Sequence, residues 1–356
     1  ASCSTPDEPD YYGRFDLDYP FLRPWFNPDS VPMATSGQVL SDHVDQGEWR
    51  YYRIFAADRL EVELFDLTGD ADLYVKQGNA PGFSEYDCRP FEGDMIPETC
   101  LFDHAQGEWF VAVHGFESAS YKLRITAFPR RGMWWNHNRP GHGIDLQRSG
   151  DILFVTWYTY EDNGQPTWYQ AIETFDNPWT APLYRYTWDG TQANPVVVGS
   201  LTMTFQDPEH ATFAWTLNGR PGSEPFEYFV VDTTPTTFNF TGHWFPPFEP
   251  GYGLTLNMQG RFEFGVLYFY DAFGQPRWAL GSKDNLTDAV IPMDVYQGFC
   301  PDCPWAPTTY TRSGTITRSF SDATHGTLST DIQLPPPLSG SWMRFNVPII
   351  LLSDPP

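Results

Sequence analysis

The chain has 356 residues, of which 41% are apolar and 17% aromatic, with 33 Pro and 29 Gly. Its length provides for two or three domains, and its composition points to short strands joined by many turns rather than to helices. With 21 basic against 45 acidic residues the formal charge is −24; a surface this negative repels phosphate backbones and anionic lipid, which excludes nucleic acid as a partner.

Residues 1–29 carry Pro, Asp and aromatic residues without any usable period and read as an extended arm. Its aromatic content, including Trp25 and Phe26, is too high for a solvated tail, so it is expected to pack on this chain or on a neighbour. The sequence starts at Ala1, which suggests a mature secreted form, and no apolar run reaches transmembrane length. Localisation is therefore expected to be extracellular or at the cell surface. Of the five cysteines, Cys88 with Cys100 and Cys300 with Cys303 are spaced for local disulfides in an oxidising compartment. The Cys300–Cys303 pair is weighed against half a zinc site, which lacks a second half. Cys3 is the odd one, either free or bonded to another chain.

From 30 to 128, runs such as Leu60-Glu-Val-Glu-Leu-Phe65 and Tyr121-Lys-Leu-Arg-Ile-Thr126 alternate with the two-residue period of half-buried sheet. Gly69-Asp-Ala-Asp-Leu-Tyr-Val75, Tyr86-Asp-Cys-Arg-Pro-Phe91, Glu98-Thr-Cys100 and Gly107-Glu-Trp-Phe-Val-Ala-Val-His-Gly115 follow one another here. In these motifs the segment resembles the bacterial pre-peptidase C-terminal domain, a jelly-roll-like β-sandwich appended to many secreted proteases. The resemblance implies a Cys88–Cys100 bond. It also implies calcium near the start of the sandwich, with Asp70 and Asp72 as the acids that carry over; two acids in a turn are few for such a site.

The rest of the chain is written twice. Residues 132–171 recur 110 positions later as 242–281 with fourteen of forty identical, among them Gly132, Trp134, Tyr158, Tyr160, Gly164, Gln165, Pro166 and Trp168. A repeat of this length makes one structural unit twice, giving β repeats at 129–235 and 236–356. Ile152–Tyr160 and Phe262–Tyr270 read as long strands, followed by turns in which Gly164 and Gly274 take positive φ. Phe154, Tyr158 and Tyr160 share a face that is expected to point inward, as do their counterparts. A later segment, Gly199–His210, recurs at a spacing of 115 as Gly314–His325. The fold class is all-β: a jelly-roll-like sandwich followed by two tandem antiparallel barrels or sandwiches. The repeats also resemble a domain of secreted bacterial proteins without an assigned activity.

What recurs is scaffold, not reactive side chains. No nucleophile elbow, zinc-protease helix or phosphate loop is present. His137, His142 and Asp145 read as a surface loop, since their counterparts are Pro247, Tyr252 and Thr255. Asp207/His210 and Asp322/His325 read as hydrogen-bonded turns. Trp135, Trp157 and Trp179 do not recur and are the candidates for an exposed ligand platform. Non-enzymatic function is expected, with no catalytic residue assigned. The first reading is a secreted structural protein that assembles with copies of itself into a filament or matrix. Contacts would come from Cys3, Trp25 and Phe26 at one end and Ile349 and Leu351 in the apolar last strand at the other. An adhesion or polysaccharide-binding module is the alternative, and a secreted hydrolase the second alternative.

Overall fold

The computed structural model describes residues 28–356 except Thr237. Cys3, Trp25, Phe26 and the rest of the arm's expected contacts lie outside the described residues. The chain is all-β and divides between Pro129 and Arg130 into two compact units.

In the first unit one sheet orders its strands Val39–Val44, Ala119–Ala127, Leu60–Phe65, Glu98–Phe102, and a second orders Trp49–Ala56, Gly107–Gly115, Ala71–Gln77. All pairings are antiparallel. The alternation in Leu60–Phe65 becomes two faces: Leu60, Val62 and Leu64 are buried, while Glu61 and Glu63 are half-buried. Together with Leu73, Val75, Val111, Val113, Leu123 and Ile125 they form one core shared by both sheets. Cys88 bonds Cys100. Glu98, beside that bond, is 1% exposed and accepts hydrogen bonds from the Leu73 and Glu92 amides at 2.5 and 2.9 Å. Its carboxylate therefore ties the 89–97 connection to the sheet.

In the second unit each repeat closes into an eight-stranded antiparallel barrel, and each strand pairs with the next in sequence. The first runs from Gly132 to Tyr228 and closes where Tyr228 pairs with Trp134. The second runs from Gly242 to Leu351 and closes where Trp244 pairs with Leu351 and Phe245 with Ile350. Closure removes the sheet edges that an open sandwich would leave.

This closure corrects the expectation for the last strand. Ser341–Leu351 is hydrogen-bonded on both sides within its own barrel, to His325–Gln333 and to Gly242–Phe245. Ile349 is 1% exposed inside the core, and Leu351 is half-buried. Neither side chain is offered to a neighbour, because the barrel needs that strand to close.

Trp157 and Trp179 are corrected as well. Both are 0% exposed. Trp157 packs against Tyr169, Phe213 and Trp215 within the first barrel, and the Trp179 indole donates to Glu173 O at 3.2 Å. They do not recur because the two barrels are filled differently: Trp157 faces inward where the second repeat has Leu267.

Candidate functional site: the joint between the barrels

The face carrying Phe154, Tyr158 and Tyr160 points inward, but not into its own barrel. Tyr158, Tyr160, Trp168 and Met133 belong to one buried cluster with Trp244, Leu254, Tyr268, Tyr270 and Trp278 of the second repeat. The contacts come in reciprocal pairs. The Trp168 indole donates to Phe269 O at 3.3 Å, and the Trp278 indole donates to Thr159 O at 2.9 Å, the same bond 110 residues apart. The hairpin glycines repeat the pattern: Gly298 N donates to Gly164 O at 3.1 Å and Trp188 N to Gly274 O at 2.8 Å. Gly164 and Gly274 have φ of 80° and 71°, the left-handed conformation that glycine adopts without strain. The Gly-Gln-Pro-x-Trp motif is thus the seam of a quasi-symmetric joint.

A buried polar chain crosses the joint from one repeat to the other. Tyr158 Oη donates to Thr255 Oγ1 (2.9 Å), which donates to Asp145 Oδ2 (3.0 Å). From the other side Tyr268 Oη donates to His243 Nε2 (2.8 Å), and His243 Nδ1 faces Asp145 Oδ2 at 3.2 Å. Gln147 satisfies Asp145 Oδ1 at 2.7 Å. This assigns His243 the tautomer protonated on Nδ1. All five chain members are at most 5% exposed, and burial pushes both phenols well above the ordinary tyrosine range. His142, read from sequence as a surface residue, is also buried: Nδ1 accepts from Trp157 Nε1 at 3.3 Å and Nε2 lies 3.2 Å from Glu224 Oε1. Burial works to raise the Glu224 carboxyl, but its interactions with His142, Asn136 and Arg139 hold it below the usual value. The surface-loop expectation is therefore corrected for His142 and Asp145. His137 alone stays exposed, paired with Glu227 at 3.0 Å.

The joint is not symmetric in chemistry. Where the second repeat places His243, the first has Met133; where the first has Thr156 and Gln170, the second has Val266 and Leu280. On the His243 side the ring packs edge-on against Phe154 and Gln170 bonds Thr156. On the Met133 side a cavity of about 250 Å³ remains. Its walls include Met133, Trp135, Phe229, Phe264, Val266, Leu280, and Trp278 stacked on Tyr296 at 5.7 Å. Trp135 is half-buried and meets Phe229 edge-on at 5.2 Å, so it is a cavity wall rather than a flat platform. His243, Thr255 and the Val266/Leu280 pair were not singled out from sequence. For His243 the signal is a mismatch between repeats flanked on both sides by identities, Gly132/Gly242 and Trp134/Trp244; Thr255 has such an identity on one side only, and Val266 and Leu280 carry no such mark.

The remaining sequence candidates sit elsewhere. Asp72 is 7% exposed and paired with Arg89 at 3.1 Å. Burial and the neighbouring Asp72 raise the Asp70 carboxyl. Among the described residues, ligand-type atoms converge within 4.8 Å at Asp162, Cys300 and Asp302; Asp70 and Asp72 belong to no such group. Cys300 bonds Cys303, and their loop clasps the first barrel: Arg139 donates to Pro301 O and Cys303 O, and Trp305 to Pro140 O. Asp207 and Asp322 cap their turns by accepting from the His210 and His325 amides, each at 2.9 Å. Among the described residues no helix is long and apolar enough to cross a membrane.

Known proteins resemble parts of this chain. Alkaline serine exoprotease A of Vibrio alginolyticus is 36% identical over 97 residues, 26% of this chain and 18% of that protein. Xanthomonalisin of Xanthomonas sp. (strain T-22) is 46% identical over 52 residues, 14% of this chain and 6% of that protein. The chain thus spans less than a fifth of either relative. No family model matches it. A partial match to an exoprotease is of the kind that the pre-peptidase resemblance implies.

Proposed function

We propose that this is a non-catalytic extracellular protein that associates with copies of itself. The cavity between its barrels receives an aromatic side chain from residues 1–27 of a neighbour. The observation that carries this reading is the apolar cavity beside a polar chain already saturated within the joint. Every acid–base group of that chain is sealed and hydrogen-bonded, so it favours rigidity over turnover, while the cavity walls, His142 among them, offer mostly apolar surface. That lining suits a ring better than a sugar. Residues 1–27 hold seven aromatic residues, Trp25 and Phe26 among them. One ring moved from water into such a site gains roughly 1.5–3 kcal/mol, so several contacts along the arm are needed for stable association. Two disulfides fit an oxidising, extracellular setting.

Sedimentation velocity of the full chain and of Leu280→Trp, which fills the cavity, tests this. The unsubstituted chain is expected to associate with rising concentration, and the variant roughly ten- to a hundredfold more weakly. A chain that stays monomeric, or equal association of both, would overturn the proposal.

A further inference from the structure

The outer wall of the second barrel carries a feature that its duplicate lacks. In the first barrel, His210–Leu217 pairs with Arg220–Tyr228 in unbroken register. In the second, His325–Gln333 pairs with Ser341–Leu351 in register only as far as Leu328 opposite Val347, and resumes with Thr330 opposite Arg344. Two residues, Phe345 and Asn346, therefore face the single Ser329. This is a β-bulge, a device that re-aims side chains and recurs beside functional sites. Asn346 sits at φ 49°, a left-handed conformation for a residue other than glycine. It is held there by its amide, which donates to Ser329 Oγ at 2.9 Å.

The bulge turns Phe345 outward until it is 84% exposed. Beneath the ring lies an open groove of about 330 Å³. Its floor is a ladder of exposed or half-exposed polar side chains on adjacent strands: Thr315 opposite Asp331, and Thr317 opposite Ser329. Met343 and Arg344 complete the rim. Arg344 is held in place by Glu249 at 2.9 Å and lies over Trp342.

We infer that this groove binds a neutral hexose unit of a polysaccharide. A pyranose presents hydroxyls along its edge and apolar C–H groups on its face. A row of hydroxyl and carboxylate groups below an exposed ring matches both. The charge of −24 selects against anionic polysaccharides. The groove is separate from the cavity between the barrels and does not depend on self-association.

Affinity electrophoresis of the full chain tests the assignment, in native gels containing dextran, galactomannan, mixed-linkage β-glucan or alginate. The expected result is retardation by at least one of the three neutral polymers. Retardation should weaken at least tenfold in Phe345→Ala and in Asp331→Ala. It should be unchanged in Phe248→Ala, which removes another highly exposed phenylalanine of the same barrel. No retardation by any neutral polymer would overturn the inference. So would equal retardation of Phe345→Ala and the unsubstituted chain, or strongest retardation by alginate. Sedimentation of the same variants without polysaccharide separates this outcome from any loss of self-association.

Discussion

The Asp145 carboxylate of the first barrel lies 3.2 Å from the His243 ring of the second, and both side chains are sealed from water. Their repeat counterparts are Thr255 and Met133, so one side of the joint carries a polar pair that the other does without. His243→Met alone removes the ring that faces a buried carboxylate, and is expected to destabilise the unit by about 3–5 kcal/mol. Adding Asp145→Thr recreates the Met/Thr chemistry of the other side and should recover most of the loss. Urea unfolding of the single and double variants measures this coupling. A double variant as unstable as the single one would contradict it.

The reciprocal indoles make a second prediction. Trp168→Ala and Trp278→Ala each open a void in the joint and should cost about 3–5 kcal/mol. Phenylalanine at either position keeps the ring but leaves a buried carbonyl without its donor, for about 1–3 kcal/mol. Because both barrels share the joint, calorimetry should show 130–356 unfolding in one transition in the unsubstituted chain. Separate barrel transitions there would show that the joint does not couple them.

In the sandwich, burial lifts the Glu98 carboxyl to about 7, against the lowering effect of the Leu73 and Glu92 amides. The folded state therefore holds this proton where the unfolded chain has released it. The contribution is fully present below the unfolded value near 4.5 and is lost as pH rises through about 7. The melting temperature of this unit should fall between pH 5 and 8, and Glu98→Gln should flatten that slope. An unchanged slope in the variant would assign the pH dependence to other groups.

The Cys300–Cys303 loop lies in the connection that makes the second repeat longer than the first, and it clasps Arg139 and Pro140. Replacing both cysteines with serine removes a very short closed loop and is expected to cost about 2 kcal/mol. In differential scanning calorimetry, reductant should lower the melting temperature of a Cys88→Ser/Cys100→Ser control by as much as replacing Cys300 and Cys303 lowers it; a control that reductant does not shift would contradict this contribution.

The repeat was legible because its identities are steric. Gly164, Pro166 and Trp168 recur since both halves must make the same turn and the same reciprocal bond. Which partner each strand face meets was not legible. A strand in a closed barrel has two faces, and periodicity alone cannot say that the Tyr158 face meets another barrel while the Trp157 face fills its own. Trp157 and Trp179 looked exposed because they do not recur, although non-recurrence here reflects two barrels filled with different volumes. The His142 and Asp145 environment was hidden for a related reason: their partners Glu224 and His243 lie 82 and 98 residues away, a pairing that only closure and docking of the barrels creates. The last strand read as a free apolar end because sequence does not show that an eighth strand is needed to close the ring.

Placing a photo-crosslinking phenylalanine analogue at position 25 of the full chain, and mapping its covalent products by mass spectrometry, tests self-association through the cavity most directly. The expected result is a product with the mass of two chains, with the label on Met133, Trp135, Phe264 or Leu280. Products confined to single chains, or labels that avoid the cavity walls, would contradict it.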